Sequence, residues 1–258
     1  MQTNDFISTS MSTSPSRIPL ESVDAANVLS EVCLRIFRAD EDVSSCEQFL
    51  AGHREVLLAA GIKNLTSMDR SWVGSPDHTV FMLLDAAGDR VLSGMRLMRR
   101  TAFNRLPMER AVSTGHPEVS QLVEGHMDEG CGEFCALWSH REVAVAGIGM
   151  VPMACAGLGV MPVVDIRHGF AFMGRNMNAM QRSLGFDIMK DVGVAGSFDY
   201  PTSPILSEIG HFVSPESLNN SQEFVRNFVR AMAEEPSQCH ELKGRFGSVA
   251  YHIDNGLA

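Results

Sequence analysis

The sequence is poor in the features that would assign it quickly. It has two tyrosines, Tyr200 and Tyr251, and two tryptophans. Its six cysteines include no C-x-x-C pair, which excludes the usual spacing of a structural zinc site, so no metal is expected. Free, buried thiols are expected instead. Basic residues are outnumbered, 21 Lys and Arg against 31 Asp and Glu, for a formal net charge of -10. Such a balance argues against nucleic-acid binding, which needs a basic patch or stripe. No basic start leads into an apolar core at the N-terminus, so no signal peptide is expected, and a cytoplasmic location fits the thiols.

Between Val143 and Val164 there is no charge at all. The run is long enough to span a bilayer. It also holds Pro152, Pro162 and four glycines, and lacks an aromatic belt. A loop and a helix buried in a core are therefore expected, not a membrane span.

What is present is ordinary for a globular protein: 45% apolar and 20% charged residues. Residues 1–20, rich in Ser and Thr, read as a disordered tail, and a helical turn is expected over Glu21–Leu29. Residues 21–213 read as one α/β domain with a mixed, mostly antiparallel sheet flanked by helices. Residues 214–258 read as a C-terminal helical extension.

Within the domain, Val32–Arg38 alternates like a strand. Val43–Ala60 buries Cys46, Phe49, Leu50, His53, Leu57 and Ala60 at helical spacing, capped by Asp42 or Ser44 and ended by Gly61. His53 reads as a core histidine. Thr79–Asp85 and Arg90–Arg99 form a hairpin that places Arg96 among apolar neighbours. A buried arginine there requires an anion, from the protein or from a ligand. Together with Arg99, Arg100, Arg105 and Arg110 it makes a local basic group suited to an acidic carrier protein or a phosphorylated donor.

Gly132–Ser139 is the next strand, with Glu133, Cys135, Leu137 and Ser139 on one face and Phe134, Ala136 and Trp138 on the other. A helix over Val151–Asp165, a strand over Gly169–Met173, a helix over Asn176–Leu184 and strands over Ile188–Val194 and Ile205–Phe212 follow. Ser221–Ala233 is an amphipathic helix that packs on the core or on a second copy in a homodimer.

The chemistry is concentrated between Gly132 and Phe186. Glu133 is a candidate general base, or else a plain strand carboxylate. Gly147 and Gly149 stand where a loop turns into a helix, whose free N–H groups suit a phosphate. Cys135 and nearby His140 offer a less favoured nucleophilic alternative.

The segment Asp165–Phe186, DIRHGFAFMGRNMNAMQRSLGF, resembles the fifth strand and fourth helix of the GNAT superfamily of N-acyltransferases. Arg54, Asp69, His78, GMRLMRR (Gly94–Arg100), LPMER (Leu106–Arg110) and the Glu133 strand resemble the acyl-homoserine-lactone synthases and the related long-chain N-acyl amino acid synthases. The resemblance spans about Leu34 to Ile209. It implies a GNAT-like domain and acyl transfer from acyl-CoA or an acyl-carrier protein to a small amine, with no permanently bound cofactor. It assigns Glu133 as the base that deprotonates the amine. It places the donor along Leu137, Trp138 and Ser139, with phosphates at Gly147 and Gly149 or at Arg141, and it puts Arg54, Asp69 and Arg96 at the acceptor. Ala144 stands where the superfamily loop usually has Gln or Arg, Gln181 where a Tyr often protonates the thiolate, and Ala136 where the lactone synthases favour Arg. A catalytically silent GNAT-fold protein is the alternative that these departures favour.

Overall fold

The computed structural model describes residues 29–62, 69–235 and 237–257. The expected tail at residues 1–20 lies outside them, as does nearly all of the turn expected over Glu21–Leu29. The described residues begin with β1 (Glu31–Arg38) and α1 (Val43–Ala59), then the hairpin β2 (His78–Asp85) and β3 (Val91–Arg99). Two short helices follow, α2 (Pro107–Val112) and α3 (Glu118–Glu124), and then β4 (Cys131–Ser139), α4 (Arg141–Ala146) and α5 (Met150–Val160). Next come β5 (His168–Gly174), α6 (Asn178–Ser183), two-residue β6 (Asp187–Ile188) and β7 (Phe198–Asp199), and β8 (Leu206–Val213). The chain closes with α7 (Glu223–Glu234), β9 (Gln238–Gly244) and β10 (Gly247–Asn255).

One ten-stranded sheet runs in the order β6-β8-β5-β4-β3-β2-β1-β10-β9, with β7 also on β8. Its pairs are antiparallel except β4 with β5 and β1 with β10. The expected mixed, mostly antiparallel sheet is therefore present. The C-terminal extension is not only helical: after α7 the chain forms a hairpin that adds two strands beside β1. The strand expected over Ile188–Val194 reduces to Asp187–Ile188. Gly193 and Gly196, at φ +74° and +82°, curl the backbone beyond it.

Asp42 caps α1, its Oδ1 accepting from Ser45 N at 2.9 Å, and Gly61 (φ +75°) turns the chain away at its end. The uncharged run becomes the end of α4, a short loop, α5 and a 3-10 turn, Met161–Val164, with Pro162 in its first turn. Almost all of α5 is buried, between the sheet and α7. A methyl group on Gly159 would sit 2.6 Å from Met232 Cβ, so glycine there lets the two helices approach. Val225, Phe228 and Met232 of α7 are spent on this contact. The helix stripe considered for a homodimer is thus covered within the chain. Among the described residues no helix is long and apolar enough to cross a membrane.

α5 and α7 cover one face of the sheet, where Met95, Phe134, Phe186 and Phe212 join the main core. α1, α2 and α3 cover the other. At one end, the fully buried carboxylate Glu208 on β8 ties the loops after β5 together. It accepts from Arg175 Nε at 2.7 Å, Asn178 Nδ2 at 2.8 Å, Lys190 Nζ at 2.9 Å and Ser197 Oγ at 3.1 Å. Of the six cysteines, Cys46, Cys131, Cys135 and Cys155 are buried, Cys33 is half-buried and Cys239 is exposed.

Candidate active site

The site begins with a defect in β4. Cys135 pairs with Arg96 and Trp138 with Gly94, so Ala136 and Leu137 together face Met95 alone. This is a β-bulge, and its first residue, Ala136, takes a left-handed φ of 51°. The extra residue breaks the alternation expected for the strand. Ala136 and Trp138, expected opposite Glu133 and Cys135, pack instead towards α1, where the Trp138 ring meets Phe49 edge-on at 5.7 Å. Leu137 and Ser139 turn to the α5 side.

The bulge also opens the sheet. β5 pairs with β4 only from Cys131–His168 to Phe134–Ala171. Past that point β5 keeps β8 as a partner while β4 bends away. The gap is a cavity of about 320 Å³, within the range of small-molecule sites. Glu133 to Leu137 of β4 and Phe172 to Gly174 of β5 form its sides. His53 and Leu57 of α1, Pro107 and Met108 of α2, Met150, Met177 and Tyr200 complete it. Ala136→Val puts a β-branched side chain at a left-handed φ. It is expected to cost roughly 1–3 kcal/mol in chemical denaturation, and to weaken any ligand seated in the gap.

Glu133 is buried, 3% exposed, and is the carboxylate of this cavity. Its Oε2 accepts from Met108 N at 2.8 Å. That N–H belongs to the first turn of α2, where no intrahelical acceptor exists. α2 is fixed in turn by Glu109, whose Oε2 accepts from Leu106 N and from Arg100 Nε, each at 2.8 Å. Burial pushes the Glu133 carboxyl up to about 8, against the opposing pull of the Met108 N–H and the charges of Arg96 and Arg110. At neutral pH it is mostly protonated.

Cys135, next along the strand, has its thiol pushed up by burial to about 11. That is the wrong direction for a nucleophile. His140 starts α4 and packs edge-on against Trp138 at 5.5 Å. The Cys–His alternative has no support in this arrangement.

The residues expected at the acceptor are dispersed. Arg96 is 1% exposed; its guanidinium lies 4.3 Å over the Trp72 ring, and its Nη1 donates to His78 Nδ1 at 3.1 Å. Asp69 is exposed and accepts from Arg110 Nη1 at 3.2 Å. Arg54 is exposed on α1, one residue from His53, which does line the cavity. Among the described residues lining the cavity, none is Arg54, Asp69 or Arg96. Much of the basic group around Arg96 is paired internally: Arg100 with Glu109, Arg110 with Asp69, and Arg99 3.7 Å from Asp165, while Arg105 is exposed.

Around the residues expected at the donor the geometry is tighter. The loop expected over 144–149 is shorter, because α4 runs to Ala146 and only Gly147 to Gly149 separate it from α5. Gly147 is left-handed, φ +74°, and ends α4. A methyl group on Gly149 would lie 2.6 Å from Val143 Cγ1 and 2.7 Å from Ser139 Oγ. No side chain caps the start of α5, and its first residue, Met150, borders the cavity beside Leu137. Arg141 is exposed at the start of α4. Gln181, the residue in the place of the expected Tyr, is buried against Gly210 and does not line the cavity. Tyr200 does, its ring 5.2 Å from that of Phe172. It was missed because it follows β7, far along the chain from the motifs around Glu133.

No protein-family model and no curated protein matches this chain. Solved structures do. FeeM, an N-acyl amino acid synthase from uncultured soil microbes, superposes with a TM-score of 0.58 at 14% identity, over 74% of this chain and 94% of that one. BjaI, a CoA-dependent acyl-homoserine lactone synthase solved with SAM and isopentyl-CoA, gives 0.51 at 14% identity, over 77% and 90%. MesI, another CoA-dependent acyl-homoserine lactone synthase, gives 0.50 at 11% identity, over 78% and 95%. The chain thus has the GNAT-type N-acyltransferase fold, in the form shared by N-acyl amino acid and acyl-homoserine lactone synthases.

Proposed function

We propose that this protein is an N-acyltransferase that moves an acyl group from a thioester donor to a small amine, with Glu133 as the base. The observation that carries the reading is the placement of Glu133. It is the carboxylate of an apolar cavity that opens at the β4 bulge and is bordered by the uncapped start of α5.

In this reading the thioester lies along Leu137, Trp138 and Ser139, and its phosphates meet the N–H groups at Gly147, Gly149 and the start of α5. Arg141 is the nearby cation. Glu133 takes a proton from the acceptor ammonium, directly or through water. The freed amine nitrogen bonds to the acyl carbon, the C–S bond breaks, and the sulfur leaves as a thiol after taking a proton. Tyr200 supplies the phenol nearest this chemistry, in place of the one absent at Gln181. The apolar lining from Leu57, Met108, Phe172 and Met177 suits an acyl chain.

The donor is coenzyme A in preference to an acidic carrier protein. Arg100 and Arg110, two of the arginines that would meet an acidic partner, are paired within the chain. Two of the structural neighbours are themselves CoA-dependent. A silent acyl-binding scaffold is the second reading, favoured by the burial of Gln181 away from the cavity.

Native mass spectrometry with acetyl-CoA, a long-chain acyl-CoA and an acylated carrier protein, one at a time, tests the proposal. Retention of the long-chain acyl-CoA, and its turnover once amines are added, is expected. Retention without turnover of any amine supports the scaffold, and binding of none of the three overturns the acyl-donor reading.

A further inference from the structure

Away from the cavity, three histidines from three separate elements converge. His126 follows α3, His168 opens β5 and His211 lies within β8. A ring nitrogen of each lies within 4.8 Å of those of the other two. His168 Nδ1 and His211 Nε2 are 3.0 Å apart, and the His126 ring stacks on His168 with centroids 4.0 Å apart. We infer that His126, His168 and His211 form a binding site for a divalent transition-metal ion of the zinc type.

Geometry and unmet bonding carry the inference. Two imidazole nitrogens on one tetrahedral zinc are about 3.3 Å apart, from Zn–N bonds of about 2.0–2.1 Å, close to the His168–His211 separation. The third ring, His126, belongs to a turn, and its ligand nitrogen lies within 4.8 Å of the other two. His126 Nδ1 is buried without a hydrogen-bond partner among the described residues, a costly state for a polar atom. Glu129 Oε1 is 3.6 Å from His168 Nε2, and Arg167 Nε holds its other oxygen at 3.2 Å. A carboxylate there takes the outward N–H of a metal-bound imidazole and fixes its tautomer.

The site is structural. It ties the turn after α3 to β5 and β8, and Phe170, whose ring stacks on His211 at 4.9 Å, pairs in the sheet with Glu133. The ion therefore braces the floor of the cavity without entering it.

The test is zinc titration by calorimetry on chelator-treated full-length protein, with Co²⁺ as a spectroscopic probe. One ion per chain is expected, with a tetrahedral cobalt spectrum lacking thiolate charge transfer, and a rise in the thermal midpoint. His126→Ala lies in a half-exposed turn, so its fold is expected to survive, as circular dichroism checks; it and His211→Ala should each weaken binding at least tenfold. A competing binder is the exposed Cys239, whose Sγ lies 4.0 Å from His252 Nε2, itself 3.0 Å from Glu31 Oε1. Binding that vanishes in Cys239→Ser yet persists in His126→Ala overturns the proposal, as does the absence of binding at micromolar zinc.

Discussion

Glu133→Gln is expected to slow acyl transfer by about 10²–10⁴-fold, the span usual for loss of a positioned base, while acyl-CoA is still retained in native mass spectrometry. The amide keeps the size of the carboxyl and keeps an oxygen for Met108 N, so α2 should stay in place. What it removes is proton acceptance. The same burial that makes Glu133 useful also sets its pH dependence. With the carboxyl at about 8 against an ordinary 4.5, the base form is scarce at pH 6 and increases through pH 8, so kcat/KM should rise over that interval. The carboxylic C=O band in infrared difference spectra should titrate near pH 8 and be missing in Glu133→Gln. A band that titrates near 4.5 would sink this account of the site. Stability runs the opposite way to activity. A carboxyl whose folded value is raised contributes most below pH 4.5 and loses that contribution as pH climbs towards 8. The Gln variant should therefore be more stable than the parent at pH 9, in denaturant titrations at matched pH.

The largest loss of stability is expected from Glu208→Ala, ~3 kcal/mol, at the low end for breaking a buried ion pair. The low end applies because Arg175 and Lys190, with side chains 55% and 51% exposed, can turn back into water once their partner is gone. Asn178 and Ser197 lose an acceptor as well. Although burial alone would raise its value, these four donors hold the Glu208 carboxyl down at about 2. Its contribution is full above pH 4.5 and is lost as pH falls towards 2. The difference in denaturation midpoint between parent and variant should therefore narrow on acidification. A constant difference from pH 7 to pH 3 would show that packing, and not charge, is what Glu208 supplies. Glu208 pairs with Met173 on the cavity wall, so a shift of β5 should also reduce donor retention.

The strands of the hairpin, β1 and the helix α1 were legible because apolar alternation and turn residues agree there. The bulge was not. Nothing in GEFCALWS marks Ala136 for a left-handed φ, since the residue that usually signals one is glycine. Reading strict alternation across it put Trp138 on the wrong face while still placing Glu133 correctly. The C-terminal hairpin was visible in principle: Val249, Tyr251 and Ile253 alternate, and Gly244 and Gly247 flank a turn. The charged residues on the opposite face of β9 hid it. The bulge end of β4, the start of α4 and the start of α5 are nearly contiguous in sequence, so the sequence alone brings Leu137, Arg141, Gly147 and Gly149 together. Arg54 came from the motif resemblance, and the structure puts its neighbour His53, not Arg54, on the cavity. The three histidines share no spacing, and only the sheet brings them together.

β1 takes β2 on one side and β10 on the other, and β10 runs parallel to it, joining Glu31 to Ala250. During synthesis, everything needed for the β1–β2–β3 ladder emerges early, but one edge of β1 stays open until the far end of the chain is made. Val32, Leu34 and Ile36 are fully buried in the finished fold, and an apolar strand with a free edge is an invitation to foreign pairing. The nascent chain should therefore be most prone to self-association late, after the cavity is assembled and before β10 docks. Such long-range closure also slows folding. A fusion or tag that hinders the last strand would damage solubility without touching a residue of the active site.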